Sequence, residues 1–291
     1  MSNLKLITTV TPNYYKNKIN YNSKILLLGS CFSTNIGQIL ESYSFNIVSN
    51  PFGVLYNPES IYNSVKLLTQ EDLFTEKDIR QTNTTDKNSA PLYCSNYHHS
   101  TFRSESKSSF LENANSKLIE ARAFFKESDT IIITLGTAWI FRENMSGAVV
   151  SNCHKRLATD FTRERLSLER IVELLSSIME LCRDKSVIFT ISPIRHIKDG
   201  LTDNNISKGL LLQGVERIIK SHDNSYYFPS YEIMLDELRD YRFYAEDLVH
   251  PSPVAIKYIF NRFKEFCICP KCYPLMEQNL KTFKHSNHIY K

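Results

Sequence analysis

Lys24-Ile25-Leu26-Leu27-Leu28-Gly29-Ser30-Cys31-Phe32-Ser33 is the stretch on which the fold turns. Lys24 to Leu28 read as a short buried strand, Gly29-Ser30 as a tight turn, and Ser33 to Leu40 as the helix that follows. A serine here stands at the carboxyl end of a strand, just ahead of a helix N-terminus. Backbone N–H groups converge there and favour developing negative charge. Open α/β sheets place their ligands at such strand ends. Taken alone, Ser30 reads equally well as part of such a site or as a mere strand end or helix cap.

Four more apolar runs follow: Phe45–Val48, Thr130–Leu135, Ser186–Ser192 and Ser225–Phe228. The β-branched run at Thr130–Leu135 predicts a strand buried on both faces, hence parallel and central. Helical stretches are expected at about 59–69, 110–126, 163–183, 205–221, 230–238 and 253–266. Alternation of strands and helices predicts an α/β fold, a three-layer α/β/α sandwich on a mostly parallel five-stranded sheet with right-handed crossovers. Residues 1–266 are expected to form one domain, opening with a polar arm over 1–23. An insertion at about 71–110 is expected to lie over one end of the sheet as a lid, and about 140–160 to form a loop or hairpin. Residues 267–291 read as a separate tail.

Composition narrows the class. The 291 residues are 42% hydrophobic and 23% charged with a net charge of +4, which suits a globular chain and no nucleic-acid partner. No apolar run reaches the roughly 20 residues of a membrane helix, and the N-terminus does not read as a signal peptide. Seven irregularly spaced cysteines suit free thiols in a reducing compartment, so a cytoplasmic location and no membrane partner are expected. Cys267, Cys269 and Cys272, with His285 and His288, approach a zinc-finger spacing. The histidine gap is short and no hairpin precedes the cysteines, so free thiols on a frayed tail are expected instead.

The chemistry is positional. Polar residues follow each strand: Ser30, then Asn50 with Gly53, Gly136 with Thr137, Arg195 with His196, and Asp247 with His250. In a parallel sheet these ends share one edge. A serine nucleophile needs a base within hydrogen-bond reach and an acid to orient it. Asp247 and His250, three residues apart, can bring the carboxylate to the imidazole Nδ1, although the pair also reads as a helix entry beside Pro251. Ser30 and Gly53 are the natural backbone donors to an oxyanion. Arg195 and His196 read either as a solvated turn or as a site for a substrate carboxylate or phosphate. His98 and His99 suit a surface loop or a substrate-contacting lid, and Trp139 a core or pocket wall.

Gly29-Ser30-Cys31-Phe32-Ser33 resembles the signature of the GSCFA family, within the wider SGNH (GDSL-like) hydrolases. The resemblance continues through Asn50-Pro51-Phe52-Gly53, Leu135–Trp139, Asn152-Cys153-His154-Lys155, Ser192–His196 and Asp247–Pro251, over about residues 22–260. It implies a flavodoxin-like fold and a serine ester hydrolase, with Ser30 as nucleophile, His250 as base, Asp247 as its acid and Gly53 as the second-block oxyanion donor. Asn50, Thr137, His154, Arg195, His196 and His99 become candidate substrate contacts. The superfamily's third block, Gly-x-Asn-Asp, is Gly136-Thr137-Ala138-Trp139 here, which removes an amide donor. Asn152 or His154 is expected to replace it. The expected substrate is an acyl ester of a small molecule or carbohydrate, with no cofactor and no metal. An acyltransferase, or a non-catalytic relative binding a ligand in the same cleft, is the alternative.

Overall fold

The computed structural model describes residues 7–12, 15–82 and 90–289, with side chains to 286. In chain order, β1 (Lys24–Gly29), α1 (Cys31–Ser42), β2 (Asn46–Ser49) and α2 (Pro58–Thr69) open the fold. The insertion holds β3 (Ile79–Gln81) and β4 (Tyr93–Ser95), and α3 (Lys107–Glu127) returns to β5 (Thr130–Leu135). Next come β6 (Trp139–Glu143), β7 (Val149–Val150), β8 (Phe161–Arg165) and α4 (Leu168–Leu181). Then β9 (Ser186–Ile191), α5 (Leu201–Ser221), β10 (Ser225–Phe228) and the short α6 (Ser230–Glu232) lead to α7 (Pro253–Cys267) and α8 (Tyr273–Ile289).

The central sheet has five parallel strands in the order β10-β9-β5-β1-β2. Counted along the chain within this sheet, the order is 2-1-3-4-5, the flavodoxin-like doubly wound arrangement, whose switch point lies between β1 and β5. Alternate strand residues feed two cores. Leu26, Leu28, Ile131, Ile133, Val187 and Phe189 pack under α2 to α5. Ile25, Leu27, Ile132, Ile188 and Phe228 pack under α1 and α7. Every residue of β5 is buried, as its β-branched run requires of a central strand.

Three expectations are corrected. The helix expected from residue 163 begins at Leu168, where the Ser167 hydroxyl accepts from Arg170 N–H. Residues 161–165 instead pair antiparallel with β6, which also pairs with β7, so the expected loop or hairpin is a hairpin extended into a three-stranded sheet. The closing helix starts at Pro253, as expected, behind its cap Ser252. The tail is not frayed over its described residues. Its cysteines are free thiols, but Cys267, Cys272 and Met276 are buried against α1 and α7, and Asn279 Nδ2 donates to the Tyr43 carbonyl at 3.0 Å. Among the described residues no three potential metal ligands come together; the side chain of His288 lies outside them. Nor, among the described residues, is any helix long and apolar enough to cross a membrane.

Candidate active site

The turn after β1 is held from three sides. Gly29 has φ +135°, and a Cβ there would meet the Thr134 carbonyl oxygen at 2.2 Å, so only glycine lets β1 and β5 stay paired at this point. Asn50, itself at φ +48°, accepts from Gly29 N–H through Oδ1 at 2.8 Å and donates from Nδ2 to Thr34 Oγ1 at 2.9 Å. Leu55 N–H reaches the Gly29 carbonyl at 2.9 Å, and Gly136 and Thr137 N–H both donate to the Tyr56 carbonyl. The strand-end turns of β1, β2 and β5 are thus one hydrogen-bonded unit at the switch point.

Ser30 caps α1: its Oγ accepts from Phe32 N–H at 3.3 Å. It is 1% exposed, and its hydroxyl donates to Ser192 Oγ at 3.1 Å. Asp247 and His250 meet as the spacing suggested, His250 Nδ1 lying 2.6 Å from Asp247 Oδ2. The other oxygen, Asp247 Oδ1, accepts from the N–H groups of His250 and Val249 at 3.0 and 2.9 Å. The His250 and Val249 backbone bonds, with the imidazole behind them, pull the Asp247 carboxyl down to about 2. Its turn is tight, with Leu248 at φ +56° and Ala245 N–H donating to the His250 carbonyl at 2.8 Å. Arg195 brings this turn to the end of β9. Its N–H donates to the Val249 carbonyl at 3.3 Å, its guanidinium to the Leu248 carbonyl, and its charge lies 4.3 Å from the Tyr244 ring centre. Arg195 therefore holds the Asp247–His250 turn. His196 follows it, half-buried and edge-on to Tyr56. Burial first, then the Lys208 ammonium and His250, push it down to about 4, so it is neutral at pH 7.

Ser30, Gly53, Gly136, Arg195 and His250 accordingly gather at one sheet edge. Among the described residues, however, no hydrogen bond joins Ser30 to His250, since the serine is turned to Ser192. The expected oxyanion donors are also engaged. Ser30 N–H donates to the Thr134 carbonyl at 3.2 Å and Gly53 N–H closes a turn onto the Asn50 carbonyl at 2.8 Å. Asn50 and Thr137 are structural as they stand: Asn50 braces the Gly29-Ser30 turn, and Thr137, buried, shares a hydrogen bond with Ser207 at 3.1 Å. Neither expected stand-in for the missing amide reaches Ser30 by a hydrogen bond among the described residues. Asn152 Oδ1 accepts from His154 N–H at 2.7 Å, and buried His154 bonds the Ser95 carbonyl through Nε2 at 2.8 Å. Their loop turns inward onto the insertion, where Ser151 N–H donates to the Asn96 carbonyl at 2.7 Å. The paired histidines divide. His98 is fully buried among Phe52, Phe74, Phe102 and Phe110, with its Nδ1 2.7 Å from Ser95 Oγ, which corrects the surface reading. His99 N–H donates to the Phe52 carbonyl at 2.9 Å, and its Cβ lies so close to Gly53 that a side chain there would clash at 2.3 Å. The insertion therefore seats on the second block.

Two groups at this edge were missed. Ser192 follows β9, and its hydroxyl takes the bond from Ser30. Lys208 of α5 is fully buried and donates to the carbonyls of Gly136 at 2.6 Å and Ser192 at 2.8 Å. The signal was present: Lys208, Leu211, Val215 and Ile218 share the buried stripe of α5.

Together these features define a doubly wound α/β protein with a serine at its switch point and a carboxylate-paired histidine on the same edge. The chain belongs to the GSCFA family, whose model matches residues 24–263. No curated protein matches it. Distant structural likenesses include Est2A, an acetyl xylan esterase from Butyrivibrio proteoclasticus, at 12% identity and TM-score 0.41, covering 86% of this chain. The chain spans 65% of that esterase's length. A family 3 carbohydrate esterase from Clostridium thermocellum is 13% identical at TM-score 0.36, with 84% of this chain and 94% of that one covered. A protein described as a candidate SGNH hydrolase from Slackia heliotrinireducens is 11% identical at TM-score 0.40, with coverage of 84% and 98%.

Proposed function

We propose that the protein is a serine hydrolase of acyl esters. The observation that carries this reading is the 2.6 Å contact between His250 Nδ1 and Asp247 Oδ2 on the sheet edge that holds Ser30. Asp247 keeps the proton on Nδ1, which leaves Nε2 as the basic nitrogen. Ser30 turns from Ser192 toward His250 and gives its proton to Nε2 as Oγ attacks the ester carbonyl. The developing oxyanion lies at the positive end of α1, a 12-residue helix. Ser30 and Gly53 N–H groups join in by sharing the bonds they now make to Thr134 and Asn50. His250 then protonates the leaving alcohol, and water, or an acceptor hydroxyl in an acyl transfer, releases the acyl group. Neutral His196 suits an uncharged substrate portion, in keeping with a small or carbohydrate-borne acyl group.

The buried, Ser192-facing position of Ser30 favours a second reading, a ligand-binding relative without turnover. Hydrolysis of p-nitrophenyl acetate and short acyl esters separates the two. Ser30→Ala and His250→Ala should each lose on the order of 10⁴-fold or more in rate, and the double variant should lose little further. A folded wild type no faster than Ser30→Ala on every ester would overturn the hydrolase reading.

A further inference from the structure

Lys208 is the buried ionisable group for which the proposed chemistry has no use. Lys208 is 1% exposed, and among the described residues its ammonium has no carboxylate partner. Its two hydrogen bonds go to main-chain carbonyls, Gly136 O at 2.6 Å and Ser192 O at 2.8 Å. These residues follow the two strands that flank the site's third and fourth turns. Residue 207 next to it does related work: Ser207 Oγ accepts from Ala138 N–H at 2.7 Å. One turn of α5 therefore holds the block in which the superfamily's asparagine is missing.

We infer that Lys208 is a positioning residue for Ser30: it ties the ends of β5 and β9 together and, through Ser192, aims the serine hydroxyl. The inference rests on the serine hydrolase reading. The chain of contacts is short. Lys208 Nζ fixes the Ser192 carbonyl, Ile194 N–H donates to Ser192 Oγ at 3.4 Å, and Ser30 Oγ donates to that same oxygen at 3.1 Å. Ser192 Oγ is thereby held where it meets the nucleophile. When Ser30 passes its proton to His250, the Ser192 hydroxyl is free to rotate and donate to Ser30 Oγ, with no proton transferred between the two serines. The groups facing the ammonium are the Cys31 thiol of α1, His196 after β9 and the Tyr231 ring, 5.6 Å away. None is a carboxylate, so the charge is not neutralised where it lies.

A buried ammonium with only carbonyl partners is costly to the fold. Burial, opposed only weakly by Cys31, pushes it down to about 7. A residue kept merely to support the core would therefore be better as methionine. This separates positioning from simple structural support. Lys208→Met should keep or raise the melting temperature, while kcat for p-nitrophenyl acetate falls roughly 10- to 100-fold with KM changed less than about twofold. Ser192→Ala leaves the carbonyl in place and should lower kcat in the same direction, and the double variant should be no worse than the poorer single one. If Lys208→Met does not fold, Ser192→Ala decides: kcat equal to wild type overturns the inference. Wild-type rates in a folded Lys208→Met also overturn it. A wild type clearly faster than Ser30→Ala, with both variants at wild-type rates, removes the inference and leaves the hydrolase reading intact. A wild type no faster than Ser30→Ala removes both.

Discussion

Gly29 carries more of the site than any side chain around it. Its φ of +135° and the 2.2 Å approach of Thr134 O to a hypothetical Cβ mean that Gly29→Ala must separate β1 from β5 beneath Ser30. The strained backbone alone should cost about 1–3 kcal/mol, with the clash added to it. Urea unfolding of Gly29→Ala measures this, and a change under about 0.5 kcal/mol would contradict the account. Ser30 was legible as a candidate because a parallel sheet puts all its strand ends on one edge, so a polar residue after an apolar run stands out, and Asp247 and His250 because their three-residue spacing lets carboxylate and imidazole meet. Asn50 and Thr137 were legible as members of that edge, but their direction was not. A side chain that turns inward to brace a backbone N–H leaves no periodic trace. Lys208 was overlooked because a lysine is ordinarily read as exposed, although its place on the buried stripe of α5 contradicts that.

At the scale of elements, the five parallel strands were all anticipated from their apolar runs, whereas of the antiparallel additions only a loop or hairpin at about 140–160 was, and β3, β4 and β8 were not. β8 reads Phe161-Thr162-Arg163-Glu164-Arg165, a polar ribbon whose charge masks its alternation and which runs into a strong helix. What secures these additions is a buried carboxylate in β6. Glu143, 1% exposed, pairs with Arg156 at 2.6 Å and Arg80 at 3.1 Å, and accepts from Asn96 at 3.0 Å. Burial alone would raise its pKa, but bonds from Ser146, Arg80, Arg156 and Asn96 outweigh this and bring it to about 2. The β3–β4 hairpin is thereby fastened to the β6–β8 sheet. Glu143→Ala leaves two part-buried guanidiniums facing each other and should cost about 3–5 kcal/mol. Thermal unfolding checks this, and a melting temperature within about 2 °C of wild type would contradict it.

The whole molecule should be acid-labile, because its buried histidines refuse protons that the unfolded chain accepts. Burial, helped by nearby His154, pushes His98 down to about 3, and burial likewise takes His154 and His196 to about 4, against 6.5 for the free group. Between those values the unfolded state binds more protons, so stability falls as pH drops from about 6.5 toward 4. Asp247 and Glu143, both held near 2, add a loss that sets in only below their ordinary values of 3.8 and 4.5. The urea midpoint should therefore decline steadily from pH 7 to pH 5, and an unchanged midpoint would contradict the burial of these rings. Fold and family rest on the sheet order and on the match over residues 24–263, whereas the proposed activity rests on one edge of the molecule. The most direct test of that activity is labelling with a fluorophosphonate, followed by mass spectrometry of the peptide that contains Gly29-Ser30-Cys31. The account predicts one adduct, on Ser30, lost in Ser30→Ala and slowed in His250→Ala. An unlabelled Ser30 in folded protein, or equal labelling of Ser30→Ala at another residue, would contradict it.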